Sequence, residues 1–150
     1  MKQLKVLAIA VATGRIGYVY LVGQRLMDWG LSRKASSDTQ SASAQAKAWI
    51  AELEPDVVIT QNVPKSSTKS VKTRALIEAI TKVARDAHVL DVQVTKPHFF
   101  KNKYQEASAL GERFPEIAIW VPKIRRLWEP EPRTTVLFEA LAMGCVLIDG

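Results

Sequence analysis

The chain has 150 residues, 47% of them hydrophobic, and its 21 Lys and Arg against 15 Asp and Glu give a net charge of +6. No apolar run approaches the ~20 residues of a membrane-spanning helix, no charged, apolar and small-residue leader precedes the first strand, and the lone Cys145 permits no intramolecular disulfide. The expectation is a soluble cytoplasmic protein of one domain over residues 1–150, with its own core and a preference for polyanionic partners.

Lys5-Val-Leu-Ala-Ile-Ala-Val-Ala12 and the apolar run ending at Val22 flank Thr13-Gly14, which reads as strand, tight turn, strand. A polar turn at Gly23 and a short third strand ending at Gly30 complete an antiparallel meander. Residues 31–43 read as a Ser-, Thr- and Gln-rich loop that supplies helix caps. Ala46, Trp49, Ile50 and Leu53 recur at helical spacing, predicting a helix from Ser43 to Leu53 that Pro55 stops.

Asp56 to Thr60 is a compact apolar strand, and Val63 to Ser70 a basic loop. The stripe Leu76, Ile77, Ile80, Val83 and Ala84 predicts a helix over Val71 to Ala87. Val89 to Val94 alternates as a strand. Helices then follow over Asn102 to Phe114, Ile117 to Val121 and Arg133 to Leu147, interrupted by Pro115 and a proline-punctuated basic loop. The order is βββαβαβα with added helices, an α/β architecture of one mixed five-stranded sheet flanked by helices.

Charge is concentrated in the second half. Residues 62–85 carry Lys65, Lys69, Lys72, Arg74, Lys82 and Arg85 against Glu78 alone. A second run holds Lys96, Lys101, Lys103, Arg113, Lys123, Arg125 and Arg126 against Glu106, Glu112 and Glu116. His98-Phe-Phe-Lys-Asn-Lys-Tyr104 interleaves aromatics with cations, a pattern that stacks on unpaired bases and equally suits core Phe99 and Phe100 with exposed lysines. Trp120 and Trp128 flank Pro122 to Arg126 and are expected to pin that loop to the body.

Other chemistry finds no support. His88 and His98 lack partners at a metal-like spacing, and His88 suits the C-terminal dipole of its helix. Thr13-Gly-Arg-Ile-Gly17 has no Lys-Ser/Thr and is not a phosphate loop. Cys145 sits in apolar company without a nearby His, as a buried hydrophobe rather than a nucleophile.

In this order, Val6 to Tyr18, Pro55 to Asn62, Arg74 to Ile80, Lys103 to Pro115, Trp128 to Arg133 and Val136 to Ala142 resemble the RuvC-type Holliday junction resolvases of the RNase H-like fold. The resemblance implies phosphodiester cleavage by two divalent ions, Mg²⁺ or Mn²⁺, held by carboxylates from separate strands and a C-terminal helix. The first-strand acid corresponds to Ala10, which has no ligand atom, and the central-strand acid to Gln61, with Asn62 beside it. Glu139 matches the inward-facing acid of the last helix, with Glu131 as its neighbour.

The basic runs make Lys65, Lys69, Lys72, Arg74, Lys101 and Lys103 candidate phosphate contacts, and the resemblance implies the same for Lys123, Arg125 and Arg126. The expected function is therefore binding of nucleic acid, branched or duplex DNA, by a RuvC-like protein with an impaired two-metal site. Two alternatives stand beside it. One is an active Mg²⁺-dependent endonuclease using Glu131 and Glu139 with help from Gln61 or Asn62. The other is a non-catalytic dimeric assembly subunit that binds an acidic protein, with Trp49 or Trp120 at its contacts.

Overall fold

The first strand is apolar at almost every position, which only a sheet covered on both faces accommodates. In the computed structural model, which describes residues 3–63, 69–95, 102–122, 132 and 134–149, that strand is β1 (Lys5–Ala12). β2 (Arg15–Val22) and β3 (Arg25–Ser32) follow in an antiparallel meander. Gly14 takes a positive φ of +79° in the turn that returns β1 onto β2. β4 (Val57–Gln61) pairs parallel with β1, and β5 (Leu90–Val94) parallel with β4, giving the order β3-β2-β1-β4-β5. The mixed five-stranded sheet expected from the sequence is the one observed.

Alternation along β1 divides the core. Leu7, Ile9 and Val11 face α1 (Thr39–Leu53) and α2 (Val71–Asp86), together with Val58 of β4. Val6, Ala8 and Ala10, with Val57 and Ile59, face α3 (Lys103–Arg113) and α4 (Thr135–Asp149). Small residues let α4 approach closely. A Cβ on Gly17 would stand 2.9 Å from a Val136 methyl, and one on Gly144 would stand 2.6 Å from a Leu21 methyl. Gly17 lies opposite Ala10 and Leu21 opposite Val6, so the start of α4 lies over the C-terminal end of β1.

Helix starts follow caps rather than apolar stripes. Asp38 accepts from the Ser41 backbone N–H, so α1 begins at Thr39, earlier than the expected Ser43. Its first turn is polar and carries no stripe. A 3₁₀ turn over Lys34–Ser36 occupies part of the expected loop, and β3 runs past Gly30 to Ser32. Ser70 caps α2 and Asn102 caps α3. Pro115 opens, rather than interrupts, a 3₁₀ segment over Pro115–Trp120, since proline at a first helical position loses no hydrogen bond. α4 continues past Leu147 to Asp149.

The far ends of α3 and α4 are tied together at the β2–β3 turn. Arg113 donates from both terminal nitrogens to Asp149 at 2.8 and 2.7 Å, and one of them also reaches the Gln24 carbonyl at 3.0 Å. The bidentate guanidinium holds the Asp149 carboxyl below its usual range. Side-chain exposures of 38% and 49% let solvent screen the pair, so Asp149→Asn is expected to lower stability by at most about 1 kcal/mol at neutral pH. A carboxylate with a lowered pKa stabilises above its unfolded value and loses that effect as acid protonates it, so denaturant melts of the two proteins should converge below about pH 3.

Candidate nucleic-acid interface

β1 and β4 pair through Val6↔Val57, Leu7↔Val58 and Ala8↔Ile59, and there the register ends. Past it a side chain spans the gap: Gln61 accepts from the Val11 backbone N–H through Oε1 at 2.8 Å. At the opposite end of the pair, Asp56 accepts from the Lys5 backbone N–H at 2.9 Å. Strand alternation puts Gln61 on the same face as Val57 and Ile59, the face Ala10 shares under α4. Ala10 is fully buried. Asn62, next in the chain, is exposed; its backbone N–H reaches Val94 and its amide donates to the Thr95 hydroxyl at 2.8 Å. Glu139 is half-buried in the first half of α4 and makes polar interactions of its own.

On the other face, a groove of about 830 Å³ opens beside Gln61 and Asn62 and runs along α2. Arg74, Lys82 and Arg85 line it at helical spacing, alternating with Glu78 and Asp86. A second groove of about 590 Å³, between α1 and α2, adds Lys47. Lys82 and Arg85 were not among the expected contact residues, although the spacing 74, 78, 82 and 85 marks a single helix face.

The arrangement has solved counterparts. The fowlpox virus resolvase in complex with Holliday junction DNA superposes with a TM-score of 0.61 at 11% identity over 97% of each chain. Thermus thermophilus RuvC in complex with a Holliday junction substrate gives 0.58 at 15% identity, over 93% of this chain and 89% of that one. The yeast mitochondrial Holliday junction resolvase Ydc2 gives 0.61 at 9% identity, over 98% and 78%. This is a RuvC-like resolvase fold. No protein-family model and no curated protein sequence matches the chain.

Of the positions singled out by the sequence resemblance, Ala10 lies near the C-terminal end of β1, Gln61 ends β4 and Glu139 lies in the first half of α4. Their donor chemistry does not suit a pair of divalent cations. Ala10 offers no ligand atom, the Gln61 carbonyl is neutral and already holds a backbone N–H, and Asn62 is neutral and turned towards Thr95. Among the described residues no three His, Cys, Asp or Glu side chains form a metal-holding group. Hard cations require several charged oxygens, and here Glu139 is the one carboxylate among these four positions.

The expected phosphate contacts divide. Lys69 and Lys72 are exposed at the start of α2, and Lys72 lies near enough to help lower the pKa of Asp38, below the larger effect of the Ser41 hydrogen bonds. Arg74 is half-buried in the groove wall. Lys103 is half-buried with its ammonium 5.8 Å from the Tyr104 ring centroid. Lys65, Lys101, Lys123, Arg125, Arg126 and Glu131 lie outside the described residues, as do His98, Phe99, Phe100 and Trp128.

One tryptophan expectation is corrected. Trp49 is only 7% exposed, packed at 4.5 Å between ring centroids against Tyr18, so it is core rather than a contact surface. The Tyr18 hydroxyl donates to Asp28 at 2.9 Å, and burial is the main cause raising its pKa. Trp120 is 44% exposed, and residues 123–126 of the loop it was expected to pin lie outside the described residues. Cys145 is buried as expected, and burial pushes its thiol up to about 11.

Gln61→Ala strips the Val11 N–H of its acceptor and is expected to cost about 1–2 kcal/mol in a denaturant melt. Gln61→Glu keeps an acceptor of the same reach and should cost clearly less. Equal losses in the two variants would contradict the bridging role. Cys145 should resist alkylation at about pH 8 until the chain is unfolded, because little thiolate exists there.

Proposed function

We propose that this chain acts as one RuvC-like domain that binds nucleic acid, with branched or duplex DNA as its target, and that its two-cation phosphodiesterase centre is impaired. The observation that carries the reading is the combination of a resolvase fold over nearly the whole chain with neutral groups at the ends of β1 and β4. Two of the structures sharing the fold are themselves complexes with Holliday junctions. The net charge of +6 and the exposed Lys69 and Lys72 supply the attraction that phosphates require.

Neutral amides serve such a role better than acids would. A cluster of carboxylates without its cations repels the phosphate backbone, whereas Gln61 and Asn62 add no negative charge. Among the described residues of the site, Glu139 alone gives Mg²⁺ or Mn²⁺ too few charged oxygens, so no cleavage step is assigned to it. A four-way junction has two-fold symmetry, which a homodimer would match, and we include that assembly in the proposal.

The test is equilibrium binding of labelled four-way junction, duplex and single-stranded DNA over a salt series. The logarithm of the binding constant should fall linearly with that of salt, and Lys69→Gln with Lys72→Gln should reduce the slope by about 2. Absent binding at low salt, or binding flat in salt, overturns the reading. Junction DNA incubated with Mg²⁺ or Mn²⁺ should remain intact; cleavage by the parent chain that Glu139→Gln abolishes would show an active centre instead.

A further inference from the structure

The face that α4 lays on the sheet repeats at four-residue steps. Val136, Ala140 and Gly144 share it, and the first two are fully buried. Val136 stands over Gly17, where an added Cβ would meet its methyl at 2.9 Å and its carbonyl carbon at 3.4 Å. Gly17 is the cross-strand partner of Ala10, and side chains so paired lie about 4.5–5.5 Å apart on one face. Ala10 is itself fully buried, in one apolar cluster with Val136, Leu137 and Ala140. Glu139, three residues on from Val136, is half-buried at the margin of that face.

A carboxylate-held Mg²⁺ or Mn²⁺ needs more than ligands. The ion surrounds itself with about six oxygens, several of them waters, and that shell requires a polar opening above the end of β1. Here Ala10 ends in a methyl group sealed within the apolar cluster, and protein interiors of this kind are packed as densely as organic crystals. Two kinds of impairment are therefore separable. A centre that lacks only its acids keeps the room and takes up a cation once they are supplied. A centre whose room is filled does not.

We propose that the second kind applies: α4, seated on Ala10 and Gly17 through Val136 and Ala140, fills the place of the cations, so restoring carboxylates does not restore cation binding. The proposal rests on the impaired-centre reading above and supplies its cause. Apolar packing, rather than a shared cation, joins the last helix to the end of β1. An acid at position 10 would enter that cluster at the double cost of overpacking and of a buried charge.

The experiment uses the full chain as the parent, as Ala10→Asp with Gln61→Glu, and as Ala10→Asn, Val136→Ala and these last two combined. Mn²⁺ is titrated onto the parent and the two-acid variant, and followed by the electron paramagnetic resonance of the free ion and by thermal melting. A cation at a hundred times its Kd would raise the melting temperature of a chain this size by about 5–10 °C. The proposal predicts no rise and no uptake in the two-acid variant beyond those of the parent. Ala10→Asn adds volume without charge and should melt about 2–10 °C below the parent. Combined with Val136→Ala, its loss should be smaller than the sum of the two single losses, because the shortened valine yields the space.

Mn²⁺ uptake by the two-acid variant, where the parent takes up none, overturns the filled site and leaves the impaired-centre reading standing. Uptake by the parent that Glu139→Gln abolishes overturns both. If the two-acid variant is unfolded without metal, the titration is read by circular dichroism. Mn²⁺ that restores its helices then contradicts the proposal, and Mn²⁺ that leaves it unfolded upholds it. Ala10→Asn that melts with the parent, or losses that simply add with Val136→Ala, would show open room above β1 and overturn the proposal as well.

Discussion

The parallel pairing of β1 with β4 is the constraint on which the rest of the molecule depends. It joins the antiparallel meander to the βα half of the sheet, yet its register spans only three residue pairs. Side chains fasten it at both ends. Asp56 accepts a backbone N–H from Lys5, and Gln61 accepts one from Val11. A buried strand end whose N–H finds no acceptor is costly, and a separating pair of strands creates that cost. Gln61 removes it with an uncharged group. The same side chain thus completes the sheet and puts a neutral group at the end of β4.

That arrangement changes what the strand ends favour. Two or three carboxylates at adjoining strand ends would repel one another and require cations to hold them. Alanine, glutamine and asparagine require none, so the sheet closes through hydrogen bonds alone. The close approach of α4, set by Gly17 and Gly144, keeps Glu139 on the helix that covers this place. The outcome is a RuvC-like resolvase fold with neutral groups at the ends of β1 and β4 and a net charge of +6.

Much of this was legible in the sequence. The unbroken apolar run of β1 signalled a strand buried on both faces, and the stripe along α2 fixed both its limits and its buried side. Asn102, expected as the first residue of a helix, is instead the cap of α3. The start of α1 was not legible, because Asp38 caps a polar first turn that lacks the stripe by which a helix is usually recognised. Trp49 also escaped: helical spacing marks it as apolar, but only the tertiary pairing of β2 with α1 places Tyr18 against it. The Gln61 bridge depends on where the β1–β4 register ends, and no local pattern encodes that point.

The central claim is that this fold holds nucleic acid through its basic surface, without divalent cations at the ends of β1 and β4. The measurement that tests it most directly is junction affinity at matched ionic strength, once with EDTA and once with Mn²⁺. The account predicts equal affinities and intact DNA in both. Binding that appears only with Mn²⁺, or cleavage of the junction in its presence, would contradict it.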